Sequence, residues 1–199
     1  MGVLVTLNVT SMNLDYLPEA KEGHMIPSEE TLELWKSIRL NTQYNNLFEI
    51  GLNAGHSAAI NLELFPDVKV TSLDINRYRY TQVAADVLTE KFGERFSYIF
   101  CHSHAYHTRV RDGIYEKPNC DIVFIDGGHT ASSVVNDVAL SKFLGVTDVL
   151  IDDTNSSEVG STTINLERLG VITKIKDYKY NNWSKSSRTN GQVTHYKFT

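Results

Sequence analysis

The sequence predicts an α/β fold: a doubly wound, mostly parallel sheet of seven strands that finishes in an antiparallel hairpin. Three observations predict it. Short apolar runs alternate with longer segments of helical spacing, which is the pattern of βαβ units and of a parallel sheet covered on both faces. One run, Asp121-Ile-Val-Phe-Ile-Asp126, is wholly apolar between two acids, as a central strand should be. The last two β-rich runs, Val171 to Tyr180 and Gln192 to Phe198, have no helix between them and should pair antiparallel at the sheet edge.

The elements follow in order. Met1–Thr6 reads as a brief edge strand, and residues 8–27 as irregular chain punctuated by Pro18, Gly23 and Pro27. Ser28 is a hydroxyl cap followed by Glu29 and Glu30, acids that suit the positive end of a helix dipole. Leu32, Trp35 and Ile38 give that helix an apolar stripe, and it should end near Asn41. Strand is then expected at 47–51, 68–74, 96–101, 121–126 and 148–152, with helices at 54–65, 76–92, part of 103–115, 130–143 and 158–169. Pro66-Asp67, Gly93 and Gly170 supply breaks. The hairpin's polar loop contains Asn190-Gly191, a common turn pair. Right-handed crossovers fix most of the remaining topology.

Composition narrows the function classes. A chain of 199 residues suits one domain, and 41% apolar with 22% charged residues excludes a disordered or fibrous architecture. A net charge of −5 argues against nucleic acid as a partner. Cys101 and Cys120 are too few for a disulfide framework, and no secretory signal pattern opens the chain, so a cytoplasmic location is expected. No apolar stretch approaches membrane-spanning length, so no membrane partner is expected.

The stretch Asn46-Leu-Phe-Glu-Ile-Gly-Leu-Asn-Ala-Gly-His-Ser57 organises the rest. A strand that ends in glycines and turns at once into a helix leaves backbone N–H groups pointing beyond the sheet edge. Glycine there permits positive φ and the close approach of a ligand, and Asn53 tolerates the left-handed conformation. Open parallel sheets bind ligands beyond the carboxyl ends of their strands, where the winding reverses. Each predicted strand ends there in polar chemistry: Glu49 with Gly51, Asp74, His102 with Ser103, Asp126, and Asp152 with Asp153. Any one of these acids could simply cap the next helix. A row of them outlines a nucleotide-type site.

A dinucleotide fingerprint would read G-x-G-x-x-G and a P-loop would need Gly-Lys-Ser/Thr; neither is present. The pattern Glu49-x-Gly51-x-x-x-Gly55, with Asp74 closing the next strand 23 residues after Gly51, resembles the S-adenosylmethionine site of class I methyltransferases. That resemblance runs from about Gly23 to the C-terminus and implies a Rossmann-like sheet with a terminal hairpin. It implies S-adenosylmethionine as cofactor, with Glu49 and Gly51 near its methionine part and Asn53, Gly55 and Ser57 in the same turn. Asp74 would bind the ribose, since a carboxylate can accept from both hydroxyls of a diol. Ser103 falls where the family often has Gly-Asp-Ser beside the adenine, but Cys101-His102 precede it here and the usual acid is absent.

Phe124-Ile-Asp-Gly-Gly-His-Thr130 and Leu150-Ile-Asp-Asp-Thr154 resemble the metal-dependent small-molecule O-methyltransferases, the catechol and macrolide-sugar enzymes among them. This implies Asp126, Asp152 and Asp153 as ligands of Mg²⁺, and His129 as general base. Neighbouring strand ends lie about 4.8 Å apart, so their acids can converge on one hard cation. The pleat sets Asp152 and Asp153 on opposite faces unless the strand has already ended. The acids could instead cap helices or meet the cofactor's amine, with Asp126 then a cofactor contact, and His129 could be a solvent-facing residue at a helix start. Imidazole suits proton abstraction near neutrality.

The implied reaction is S-adenosylmethionine-dependent methyl transfer to a hydroxyl of a small molecule (sugar, phenol or natural product), with Mg²⁺ lowering the hydroxyl's pKa. Residues 1–199 would form one methyltransferase domain, with 46–199 as cofactor-binding core and 1–45 as N-terminal segment, helix and candidate substrate cover. A second subunit could lend that cover, giving a homodimer. One rival is a nucleic-acid methyltransferase, disfavoured by charge and by the lack of an Asp/Asn-Pro-Pro-Tyr/Phe motif after the fourth strand. Another is a non-catalytic cofactor-binding module. Cys101, His102, His104 and His107 match no standard zinc spacing, and the basic, aromatic stretch Lys174 to Arg188 reads as solvated edge strand.

Overall fold

The structure is a computed structural model describing residues 12–20, 25, 27–183 and 188–199. The edge strand expected at Met1–Thr6 lies outside the described residues, as does Gly23. Helix α1 (Glu29–Thr42) begins where its cap predicts. Ser28 Oγ accepts from the Thr31 N–H at 3.2 Å while Thr31 Oγ1 accepts from the Ser28 N–H at 2.7 Å, a reciprocal cap. Its apolar stripe is fully buried, and Trp35 meets Phe124 edge-to-face at 5.2 Å.

Strands β1 (Asn46–Ile50), β2 (Lys69–Asp74), β3 (Phe96–Phe100), β4 (Ile122–Ile125) and β5 (Asp148–Ile151) pair in parallel, and β6 (Ile172–Trp183) and β7 (Arg188–Phe198) complete the sheet. The order is β3-β2-β1-β4-β5-β7-β6, with β7 antiparallel to both of its neighbours. Helices α2 (His56–Leu64), α3 (Arg79–Phe92), α4 (Ser103–Arg111), α5 (Ala131–Leu144) and α6 (Ser157–Arg168) make the crossovers. All of β4 is buried: Ile122 and Phe124 join the core under α1 and α2, Val123 and Ile125 the core under α4 and α5. That double burial is why the run between Asp121 and Asp126 is apolar throughout. The winding reverses between β1 and β4, so the loops after these two strands splay apart and leave a crevice.

Three boundaries differ from expectation, each for a local reason. Helix α2 starts at His56 rather than 54 because Asn53 (φ 50°) and Gly55 (φ 81°) hold the turn in left-handed backbone. Helix α3 starts at Arg79 rather than 76: the Asn76 N–H donates to Asp74 Oδ1 at 2.7 Å, and Asn76 itself sits at φ 55°. The hairpin is longer than predicted, and Asn190-Gly191 is inside β7, opposite Asn181 and Tyr180, while the connection 184–187 lies outside the described residues. Gly191 is there for space. A Cβ built on it would fall 2.1 Å from Cζ of the Tyr180 ring, so the ring lies directly over the glycine. No described helix is long and apolar enough to cross a membrane.

Candidate active site

The carboxyl ends of β1, β2, β4 and β5 border a cavity of about 710 Å³. On one side stands the glycine turn. Gly51 has φ 106°, and a Cβ built on it would lie 2.1 Å from the backbone carbonyl oxygen of Asp126. The absent side chain therefore makes room for the end of β4 rather than for a ligand. The Leu52 and Asn53 N–H groups donate to Asp74 Oδ2 at 2.9 and 3.1 Å, so Asp74 ties the turn to the end of β2. Gly51, Asn53 and Asp74 all line the cavity.

Glu49, Gly55 and Ser57 do not line it. Glu49 is fully buried below the turn, where it accepts from the Ser57 hydroxyl on α2 and from Ser72 Oγ on β2 at 2.6 Å. Burial pushes its carboxyl up to about 7, against the pull of the two hydroxyls.

The opposite side is acidic. Strand β5 ends at Ile151 and Asp153 adopts φ 54°, which turns both Asp152 and Asp153 into the cavity despite their adjacency. Asp126, half-buried after β4, completes the group. Burial, then the charges of Asp152, Asp153 and Glu49, hold the Asp126 carboxyl well above the usual range. Asp152 is raised to about 7 by burial and by Asp153. The Tyr180 hydroxyl donates to both Asp152 oxygens, at 3.1 and 2.9 Å. His129, whose side chain is 57% exposed, brings Nε2 to 3.3 Å from Asp153 Oδ2 at the mouth.

The sequence from β1 to the end of β5, residues 48–151, matches a methyltransferase-domain family model, just over half of the chain. The chain belongs to the methyltransferase-domain family. This methyltransferase shares its fold with a candidate RNA methyltransferase from Pyrococcus horikoshii (TM-score 0.63, 13% identity, 92% of this chain and 90% of that one). It is equally similar to a candidate caffeoyl-CoA O-methyltransferase from Staphylococcus aureus (0.63, 19%, 88% and 86%). TomG, an O-methyltransferase of Streptomyces achromogenes solved with S-adenosylmethionine, aligns at 0.59 with 14% identity over 86% and 81%. Identities this low establish the class I, S-adenosylmethionine-dependent methyltransferase fold and leave the acceptor open. No curated protein matches the chain.

Two cavity residues of the methyltransferase escape the sequence reading. Tyr180 reaches Asp152 from β6 only because its ring crosses β7 over Gly191, a relation no local pattern encodes. Asp137 lies on α5, three residues after buried Val134 and beside buried Val138, so its place on the apolar stripe was a readable signal. Ser103 opens α4 and stands near enough to Asp137 to hold its carboxyl down against burial.

The implied ligand sets do not assemble. Among the described residues no group of three or more His, Cys, Asp and Glu side chains is disposed to hold a metal ion. Around Asp126, Asp152 and Asp153, the Tyr180 hydroxyl donates to Asp152 and His129 Nε2 lies 3.3 Å from Asp153. For the Cys101–His107 stretch, the His102 ring caps α4 and the His107 ring packs at a tilt of 45° on Phe143, centroids 4.8 Å apart.

Proposed function

We propose that this methyltransferase moves the methyl group of S-adenosylmethionine to a hydroxyl of a small molecule. The observation that supports it most is the pairing, in one cavity, of a carboxylate anchored by the glycine turn with an acid-and-imidazole wall opposite. Asp74 keeps an acceptor site on Oδ1 for a ribose hydroxyl, because the two turn N–H groups fill Oδ2 and the Asn76 N–H takes one place on Oδ1. Gly51 and Asn53 flank the methionine part, Asp126 suits its ammonium group, and Ser103 stands on the adenine side. Glu49 and Ser57 support the turn from below rather than touching the ligand.

When bound, the cofactor supplies an electrophilic methyl on a sulfonium. His129, oriented by Asp153, accepts the acceptor's hydroxyl proton as its oxygen attacks in line, leaving a methyl ether, S-adenosylhomocysteine and a protonated imidazole. Among the described residues no group of three acids is disposed to hold Mg²⁺, and the proton falls to His129. The cavity is of a size for a cofactor with a small acceptor. Its lining carries Asp74, Asp126, Asp137, Asp152 and Asp153 against one arginine, Arg77, a poor match to a polyanion such as RNA.

Calorimetry with S-adenosylmethionine and S-adenosylhomocysteine, with and without Mg²⁺, tests the reading on the wild type, Asp74→Ala and Asp126→Ala. Both ligands should bind the wild type, and Asp74→Ala should weaken both by about 100-fold, the scale of a charge-assisted contact to a hydroxyl together with the loss of the turn's anchor. Undiminished binding by Asp74→Ala would remove the ribose assignment. A metal-dependent gain in the wild type that Asp126→Ala abolishes would restore the ion. Label transferred from the cofactor to RNA, and not to hydroxylated small molecules, would overturn the acceptor class.

A further inference from the structure

We infer that Asp137 reads the adenine of the cofactor, its carboxylate accepting a hydrogen bond from the exocyclic amino group. The inference rests on the cofactor reading above and assigns a residue that the glycine turn and the strand ends do not supply.

Asp137 is 1% exposed, yet it lines the cavity. Its Oδ1 atom has no hydrogen-bond partner among the described residues. Buried carboxylate oxygens are almost always partnered, because leaving one unmade forfeits hydration with nothing in return. A buried, unpartnered oxygen on a residue that lines the cavity is a vacancy for a ligand's donor. No basic group compensates it either: burial raises its carboxyl to about 6, and the Ser103 hydroxyl alone pulls it back.

Position agrees. Ser103, at the start of α4, stands at the end of β3, beyond the Asp74 that would hold the ribose, so a base continuing past that sugar comes to the Ser103–Asp137 pair. The stretch Cys101-His102-Ser103 carries no acid of its own. Asp137 supplies one from α5 instead.

An acceptor in this place distinguishes adenine from bases that present a carbonyl at the same position. Hypoxanthine would set its oxygen against the carboxylate, with no proton between them. The test compares S-adenosylhomocysteine with S-inosylhomocysteine by calorimetry on the wild type and on Asp137→Asn, whose amide can donate. The wild type should prefer the adenosyl compound by about tenfold or more, the scale of one mispaired buried hydrogen bond. Asp137→Asn should narrow that ratio to about twofold or invert it, with a melting temperature no lower than that of the wild type. A wild-type ratio near one overturns the inference without recourse to any variant. An unchanged ratio in folded Asp137→Asn does the same and leaves the cofactor reading standing. Failure of the wild type to bind either compound removes the cofactor reading and this inference with it.

Discussion

Gly51→Ala is expected to lower the melting temperature by about 10 °C or more, a loss of roughly 4 kcal/mol or greater in a chain of this size. Two costs combine. At φ 106° an L side chain is strained whatever surrounds it. The added carbon would also meet the Asp126 carbonyl oxygen at 2.1 Å, with the Asp126 carbonyl carbon at 2.6 Å. Neither obstacle is the end of a flexible side chain. Both belong to backbone at the end of β4, a strand paired on both edges. Gly170→Ala is the control: its φ is 67°, but nothing lies within 4 Å of the new carbon. It should cost only about 1 kcal/mol. Urea or thermal unfolding of the pair decides, and equal losses would show that conformation alone, without the collision, accounts for Gly51.

Glu49→Gln should stabilise the ligand-free protein above neutral pH by about 3 kcal/mol, the value of a shift from 4.5 to about 7. The sign follows from burial. The folded chain holds the Glu49 proton more tightly than the unfolded chain, so this contribution is fully present below about pH 4.5 and is lost as pH rises through about 7. Asp152, raised to about 7, and Asp137, raised to about 6, tilt the curve the same way. Wild-type melting temperature should therefore fall between pH 5 and 8. Glutamine keeps one acceptor oxygen and puts an NH2 donor group where the protonated acid has its O–H, so it should flatten that slope while one serine hydroxyl donates to it and the other accepts. A Glu49→Gln variant with the wild-type slope, or one less stable at pH 8, would refute the account.

What could be read in advance depended on how local the cause was. Asp74, Asp126 and Asp152 were legible because a polar residue closing an apolar run marks the rim of a parallel sheet. Asn53 was legible as the one residue between the glycines that accepts left-handed backbone. The pleat could have shown that Glu49 turns away from Ile50, which lines the cavity, and toward the helix side. Asn190-Gly191 misled, since that pair favours a tight turn but here serves a ring from the opposite strand. Tyr180 depends on which strand lies beside which, and a single chain states that only through its register; Asp137 showed only as an acid on the apolar stripe of α5. Asp153 turned on one dihedral angle, which decided whether neighbouring acids faced one way or two.

The seating of β7 between β5 and β6 has a consequence for assembly. The strand made later must occupy the inner berth, so the two arms dock as a ready-made ribbon or wait for each other before either can settle. Until then no phenol reaches Asp152, and crowded carboxylates at the end of β5 repel one another without a proton to share. The outermost ribbon of the molecule thus finishes one wall of the chamber at its centre, and peeling it back would take Tyr180 from Asp152 while most of the sheet stood intact.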